Sequence, residues 1–198
     1  MGHYARSFHQ KRAGNSRYPI LASASLKSFK KAYPDKDPIT ICDVGCSIGE
    51  LLRVMGDQVQ NAFLTGIEYD VKPLDKVYHG GFIVHDLNEQ FEGKLILHNL
   101  VICQEVLEHV EPCNTGVALN FISRLACASG SFLIFGAARE GQRGAHHVNC
   151  RPKSAWKDLL GLYGWKLHPE ATKVYLEELK DGGIKKGCYV NNTLCFVR

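Results

Sequence analysis

Ile39-Thr40-Ile41-Cys42-Asp43-Val44-Gly45-Cys46-Ser47-Ile48-Gly49 is the stretch that decides the fold. Its apolar lead reads as a buried strand, its glycines as a turn, and Glu50, Leu51, Leu52, Val54 and Met55 as the opening of a helix. Glycine brings no β-carbon, so a ligand can approach bare backbone where the helix begins. The spacing is D-x-G-x-x-x-G. It is neither the G-x-G-x-x-G dinucleotide fingerprint nor the phosphate loop with its Lys-Ser/Thr. Taken alone, the same letters also spell an ordinary strand-to-helix corner.

Further pieces follow at regular distances. Leu64-Thr65-Gly66-Ile67-Glu68 is a second apolar strand ending in an acid. An acid there is placed to accept hydrogen bonds from ribose hydroxyls. Phe82-Ile83-Val84-His85-Asp86 is a third strand, again ending in an acid. Leu100-Val101-Ile102-Cys103 is a fourth and runs into Gln104-Glu105-Val106-Leu107-Glu108-His109-Val110. In order and spacing these segments resemble the class I S-adenosylmethionine-dependent methyltransferases, from Ile39 to the C-terminus.

The resemblance implies an α/β fold: a Rossmann-like, mostly parallel seven-stranded sheet with helices on both faces and the last strand antiparallel. It implies S-adenosyl-L-methionine as cofactor and an enzyme that methylates a small-molecule acceptor, on oxygen ahead of nitrogen. Backbone at Gly45, Cys46 and Gly49 would meet the methionine part, with Asp43 orienting it. Glu68 would bind the ribose and Tyr69 would pack on the adenine. Asp86 would accept from the adenine amino group, Leu87 would give apolar contact, and Gln104 would line the site. The plainer reading of Glu68 and Asp86 is that of exposed loop carboxylates. A cofactor-binding partner protein without turnover is the alternative from another class.

The length of 198 residues suits one domain with a substantial core. Hydrophobic residues at 45% and charged residues at 22% are those of a globular protein. No apolar run reaches the ~18 residues that span a bilayer, and the start lacks the apolar core of a secretory signal. A cytoplasmic protein without membrane partners is expected. Among the eight cysteines, Cys42, Cys103, Cys127 and Cys195 sit in apolar runs as buried thiols. No C-x-x-C pair marks a zinc site.

The net charge of +4 is uneven. Residues 1–40 hold eight Lys/Arg against Asp35 and Asp37, an excess of +6 that leaves −2 for the rest. Residues 1–18 read as a basic, flexible arm, open either to RNA or to no partner but water. Residues 19–198 read as the methyltransferase domain. Ile20–Tyr33 is its first helix, ending before Pro34 and expected, by the resemblance, to serve as a substrate lid. Val117–Ala128 and Lys153–Tyr163 read as helices, Val174–Leu179 as short helix or strand, and Tyr189–Val197 as the closing strand. Alternating strands and helices call for a parallel sheet covered on both faces.

Glu105, Glu108 and His109 stand at i, i+3 and i+4, and on a helix they would share one face. With His147 they look like the E-x-x-E-H plus distant His set of the small-RNA 3′-terminal 2′-O-methyltransferases. That resemblance implies a divalent metal on Glu105, Glu108, His109 and His147, polarising a ribose hydroxyl. Without a metal, His109, His146 and His147 are the candidates for general base near neutral pH. The loop Gly141–Pro152 that carries His146 and His147 is too polar for the core. It reads as a substrate-facing loop or as a flexible connection.

Overall fold

The computed structural model describes residues 17–69, 81–127 and 129–198. Helix α1 (Arg17–Ala32) leads into β1 (Thr40–Val44), α2 (Glu50–Gln58), β2 (Phe63–Glu68), β3 (Gly81–Val84) and β4 (Leu100–Gln104). Short 3-10 turns at Leu107–His109 and Pro112–Asn114 precede α3 (Thr115–Arg124) and β5 (Phe132–Gly136). Then come α4 (Lys153–Leu162), β6 (Lys166–Leu167), α5 (Pro169–Asp181), α6 (Cys188–Asn192) and β7 (Leu194–Val197). The seven strands form one sheet in the order β3-β2-β1-β4-β5-β7-β6. β7 runs antiparallel to both neighbours, and β1 to β5 are parallel.

Both faces of the sheet are covered, which is why its central strands are mostly apolar. Successive side chains of β5 alternate between two cores. Leu133 and Phe135 join Trp156, Leu160, Phe121 and Ile122 on the α3–α4 side. Phe132 and Ile134 join Phe29, Leu52, Met55 and Tyr175 on the α1–α2–α5 side. Cys42, Cys103 and Cys195 are buried free thiols, as expected, whereas Cys127 is only half-buried.

Several element readings are corrected. α1 already includes Arg17, Tyr18 and Pro19, ahead of the expected start at Ile20. Its Leu21, Ala22, Ala24 and Phe29 are buried against α2, α5 and the sheet. Val174–Leu179 lies inside the longer α5, which starts at Pro169 behind a cap: His168 Nδ1 accepts from Ala171 N at 3.2 Å. The closing strand is shorter than the apolar run that announced it, because Cys188–Asn192 turns into α6. α3 ends at Arg124. Residues 1–16 of the basic arm and the crossover over residues 70–80 lie outside the described residues. Among the described residues, no helix is long and apolar enough to cross a membrane.

The end of α1 is tied to the amino edge of β5 by Tyr33, whose hydroxyl donates to the Ser131 carbonyl at 3.0 Å. Tyr33→Phe should cost about 1 kcal/mol of unfolding free energy. A urea midpoint unchanged from the parent would show that this bond adds nothing.

Candidate functional site

The strand order reverses between β1 and β4, and there the carboxyl ends of the strands open a crevice. The glycine turn sits at that point. Gly45, Ser47 and Gly49 have φ of 75°, 53° and 79°, all left-handed. The turn is pinned to β2: Gly45 N and Cys46 N donate to the Ile67 carbonyl at 2.8 and 3.1 Å. Glu68 completes the clamp. Its Oε2 accepts from Ser47 N at 3.0 Å and its Oε1 from Tyr69 N at 2.9 Å.

Asp43 is buried beneath this turn. Burial, and then the charge of Glu68, push its carboxyl up to about 8, so near neutral pH it keeps its proton and can donate. The Cys46 thiol is buried and its pKa is raised, chiefly by that burial. Asp43, Gly45, Cys46, Gly49, Glu68 and Tyr69 thus gather at the ends of β1 and β2. Tyr69 is exposed. Asp86 lies exposed past β3, and its Oδ1 accepts from Asn88 N and Nδ2 at 2.9 and 3.0 Å. Leu87 is buried in the core with Val44 and Ile67. Gln104, at the end of β4, is held by two partners: its Nε2 donates to Thr193 Oγ1 at 2.7 Å, and its Oε1 accepts from the Tyr175 hydroxyl at 3.0 Å.

The helix expected over Glu105–Val110 does not form. Glu105 N donates to the Gly136 carbonyl at 2.7 Å, which carries the β4–β5 ladder one residue further. The chain then turns out through a left-handed Glu105 (φ 58°) into the 3-10 turn. Glu105, Glu108 and His109 therefore share no helical face. The Glu105 carboxylate is taken by Asn192 Nδ2 at 2.8 Å and Gln142 Nε2 at 3.3 Å.

Glu108 points inward and is fully buried, with neither carboxyl oxygen making a well-formed hydrogen bond among the described residues. Burial, and then the neighbouring Glu105 charge, raise its pKa to about 8. Its backbone carbonyl accepts from Val148 N and Asn149 N at 2.9 and 3.0 Å. The polar loop is thus anchored at this point rather than being a loose connection.

That anchoring brings two histidines together. His109 and His147 have ring centroids 5.0 Å apart. His109 Nδ1 lies 3.2 Å from the His146 carbonyl, and His147 Nδ1 lies 3.1 Å from the Gln142 carbonyl. A carbonyl can only accept, so each neutral ring carries its proton on Nδ1 and offers the Nε2 lone pair. Burial is the main cause that lowers the pKa of His109, which favours this neutral form. His146, left-handed at φ 57°, contributes its carbonyl to the arrangement. Ligand atoms of Glu108, His109 and His147 all lie within 4.8 Å of one another. Two imidazoles and a carboxylate are a suitable donor set for a divalent cation. Glu105, committed to its amide partners, is not in that set.

Just past β5 lies a cavity of about 500 Å³, lined by Arg139, Glu140, Gln142, Cys188 and Asn191 with Gly141 and Gly187. The sequence reading passed over Arg139, Cys188, Asn191 and Asn192. The available signal was three consecutive polar residues, Asn191-Asn192-Thr193, interrupting an apolar terminal run.

No protein-family model and no curated protein matches the sequence. Solved structures do match the fold. The plantazolicin methyltransferase BamL, crystallised with a substrate analogue and SAH, aligns with a TM-score of 0.70 at 12% identity, over 98% of this chain and 88% of its own. A sugar N-methyltransferase from Streptoalloteichus sp. gives 0.70 at 11% identity, over 98% and 92%. Human N-acetylserotonin methyltransferase with SAM gives 0.61 at 13%, over 98% of this chain and 55% of its own. The chain therefore has the Rossmann-like class I methyltransferase fold, as the order of its segments implied.

Proposed function

We propose that the chain transfers a methyl group from S-adenosyl-L-methionine to an oxygen, or a nitrogen, of a small-molecule acceptor. The observation that carries this reading is the left-handed glycine turn at the reversal of strand order, clamped to β2 by both oxygens of Glu68. Proteins of like fold were crystallised with SAH or SAM, or carry the name of methyltransferases.

When bound, the cofactor supplies an already activated methyl group, so the chain's task is alignment and proton removal. Gly45, Cys46 and Gly49 would approach it by backbone, with Asp43 beneath. Glu68 would hold the ribose, while Tyr69, Asp86 and Leu87 would wall the base and Gln104 the methyl side. The Nε2 of His109 or His147 would take the acceptor's proton.

Calorimetric titration with SAH tests the cofactor half, since a chain that gives no binding isotherm is no methyltransferase. His147→Ala tests the base. It should bind SAH as the parent does and lose about 100-fold in turnover, on an acceptor found by a labelled-donor screen. Full turnover in the variant would remove His147 from the mechanism.

A second reading is favoured by the orphaned carboxyl of Glu108, which has ligand atoms of His109 and His147 within 4.8 Å. The same three residues would hold a divalent cation that polarises the acceptor. Activity that is unchanged after exhaustive EDTA dialysis rejects it.

A further inference from the structure

Both ends of the Gln104 amide are fixed. Thr193 Oγ1 gives its single proton to the Tyr189 carbonyl at 2.6 Å. Toward Gln104 it can then only accept, so the group 2.7 Å away is the Nε2 amine and not the oxygen. At the other end, Oε1 accepts from the Tyr175 hydroxyl at 3.0 Å. Burial raises the pKa of that hydroxyl well above the ordinary phenol range, so it keeps its proton. A flipped amide would set oxygen against oxygen at Thr193 with no proton between them.

The three side chains come from separate parts of the chain. Gln104 pairs with Gly136 in the β4–β5 ladder, and Phe135 pairs with Leu194 on the antiparallel side. That register sets Gly136 beside Thr193, where an added β-carbon would lie 3.5 Å from Thr193 Oγ1. Gln104 and Thr193 therefore stand two strand spacings apart, about 10 Å, with only a glycine between them. A long side chain passing over that glycine closes the gap. Tyr175 belongs to α5 and packs in the same core as Leu100 and Ile102 of β4. Asn192 Nδ2 makes a second crossing, to Glu105 Oε1 at 2.8 Å, which keeps the α6–β7 junction against the end of β4. Tyr175, Asn192 and Thr193 are buried, whereas Gln104 is half-buried at the crevice. Holding a glutamine still costs side-chain entropy, and packing alone does not ask for one end of the amide over the other. The locked amide keeps one N–H and one oxygen lone pair for a ligand.

We infer that Tyr175 and Thr193 are positioning residues that hold the Gln104 amide in one orientation against the cofactor. The cofactor's place rests on the methyl-transfer reading; the locked orientation does not. Held in this way, the amide meets the ligand without losing further rotamer freedom, which tightens binding by preorganisation.

A double-mutant cycle on the full chain, read by calorimetric titration with SAH, tests this. Gln104→Met keeps the length of the side chain, drops the amide, and should weaken SAH about 10-fold. Tyr175→Phe and Thr193→Val each release one end of the amide and should each weaken SAH about 5-fold. Added to Gln104→Met, neither should weaken SAH further, because no amide is left to orient. A purely structural role would cost affinity whether or not Gln104 is present. Circular dichroism identifies the variants that fold, and either partner alone carries the cycle. The inference is overturned if Gln104→Met binds SAH as the parent does, if the folded partner variants keep parent affinity, or if their losses persist in the Gln104→Met background. A parent chain without an SAH isotherm removes the methyl-transfer reading itself; parent binding with unchanged variants removes this inference alone.

Discussion

Gly45→Val should abolish SAH binding, with a loss of at least about 1000-fold in affinity. Two separate faults meet at this residue. Its φ of 75° is left-handed, a region that a β-branched residue essentially never adopts. Any β-carbon would also run into the Val106 side chain. Val106 cannot retreat cheaply, because it stands between the left-handed Glu105 and the 3-10 turn that buries Glu108. The turn must then shift, and with it the Ser47 N–H that Glu68 grips. Gly141→Ala separates the two faults. Gly141 has φ of 78° but nothing within 4 Å of an added β-carbon. It should lose about 1 kcal/mol of stability and keep its SAH affinity. Calorimetry with circular dichroism on both variants reads this out. SAH binding by a folded Gly45→Val at near-parent affinity would displace the cofactor from this turn.

The parts of this site that could be read from the sequence are those fixed by local rules. The acid that ends β2, Glu68, holds the glycine turn by the Ser47 N–H, and Gly45 stands where a β-carbon would collide. The order of apolar runs then settled the sheet, since each parallel neighbour needs a covering crossover. Long-range hydrogen bonds decided the rest. The spacing of Glu105, Glu108 and His109 is helical on paper, yet the Gly136 carbonyl holds Glu105 in the ladder and forces the exit through a left-handed residue. The terminal apolar run is interrupted because Thr193 Oγ1 donates to the Tyr189 carbonyl at 2.6 Å, closing α6 before β7 begins. A buried glutamate without a cation beside it runs against the usual habit of that side chain. No periodicity announces Glu108.

Glu108 also gives the chain a pH dependence that can be measured without knowing the acceptor. Its carboxyl titrates at about 8 in the folded state, against an ordinary value of 4.5. Between those values the native chain holds a proton that the unfolded chain has released. The corresponding stability is fully present below the ordinary value and is lost as pH rises through the folded one. Asp43, also pushed up to about 8, acts with the same sign. His109, lowered below 6.5, acts with the opposite sign but only in the acid range. From about pH 7 to about pH 9 the wild-type Tm should therefore fall, by the equivalent of about 1.4 kcal/mol for Glu108 alone. Glu108→Gln, which carries no titrating proton, should remove about half of that slope, and adding Asp43→Asn should flatten what remains. A divalent cation changes the expectation in a recognisable way. Coordination by Glu108, His109 and His147 requires the carboxylate, so manganese should stabilise the wild type increasingly as pH rises and leave Glu108→Gln untouched. A wild-type Tm that is level across this range without metal, or a Glu108→Gln slope equal to the parent's, would show that the buried carboxyl is not held protonated in the folded chain.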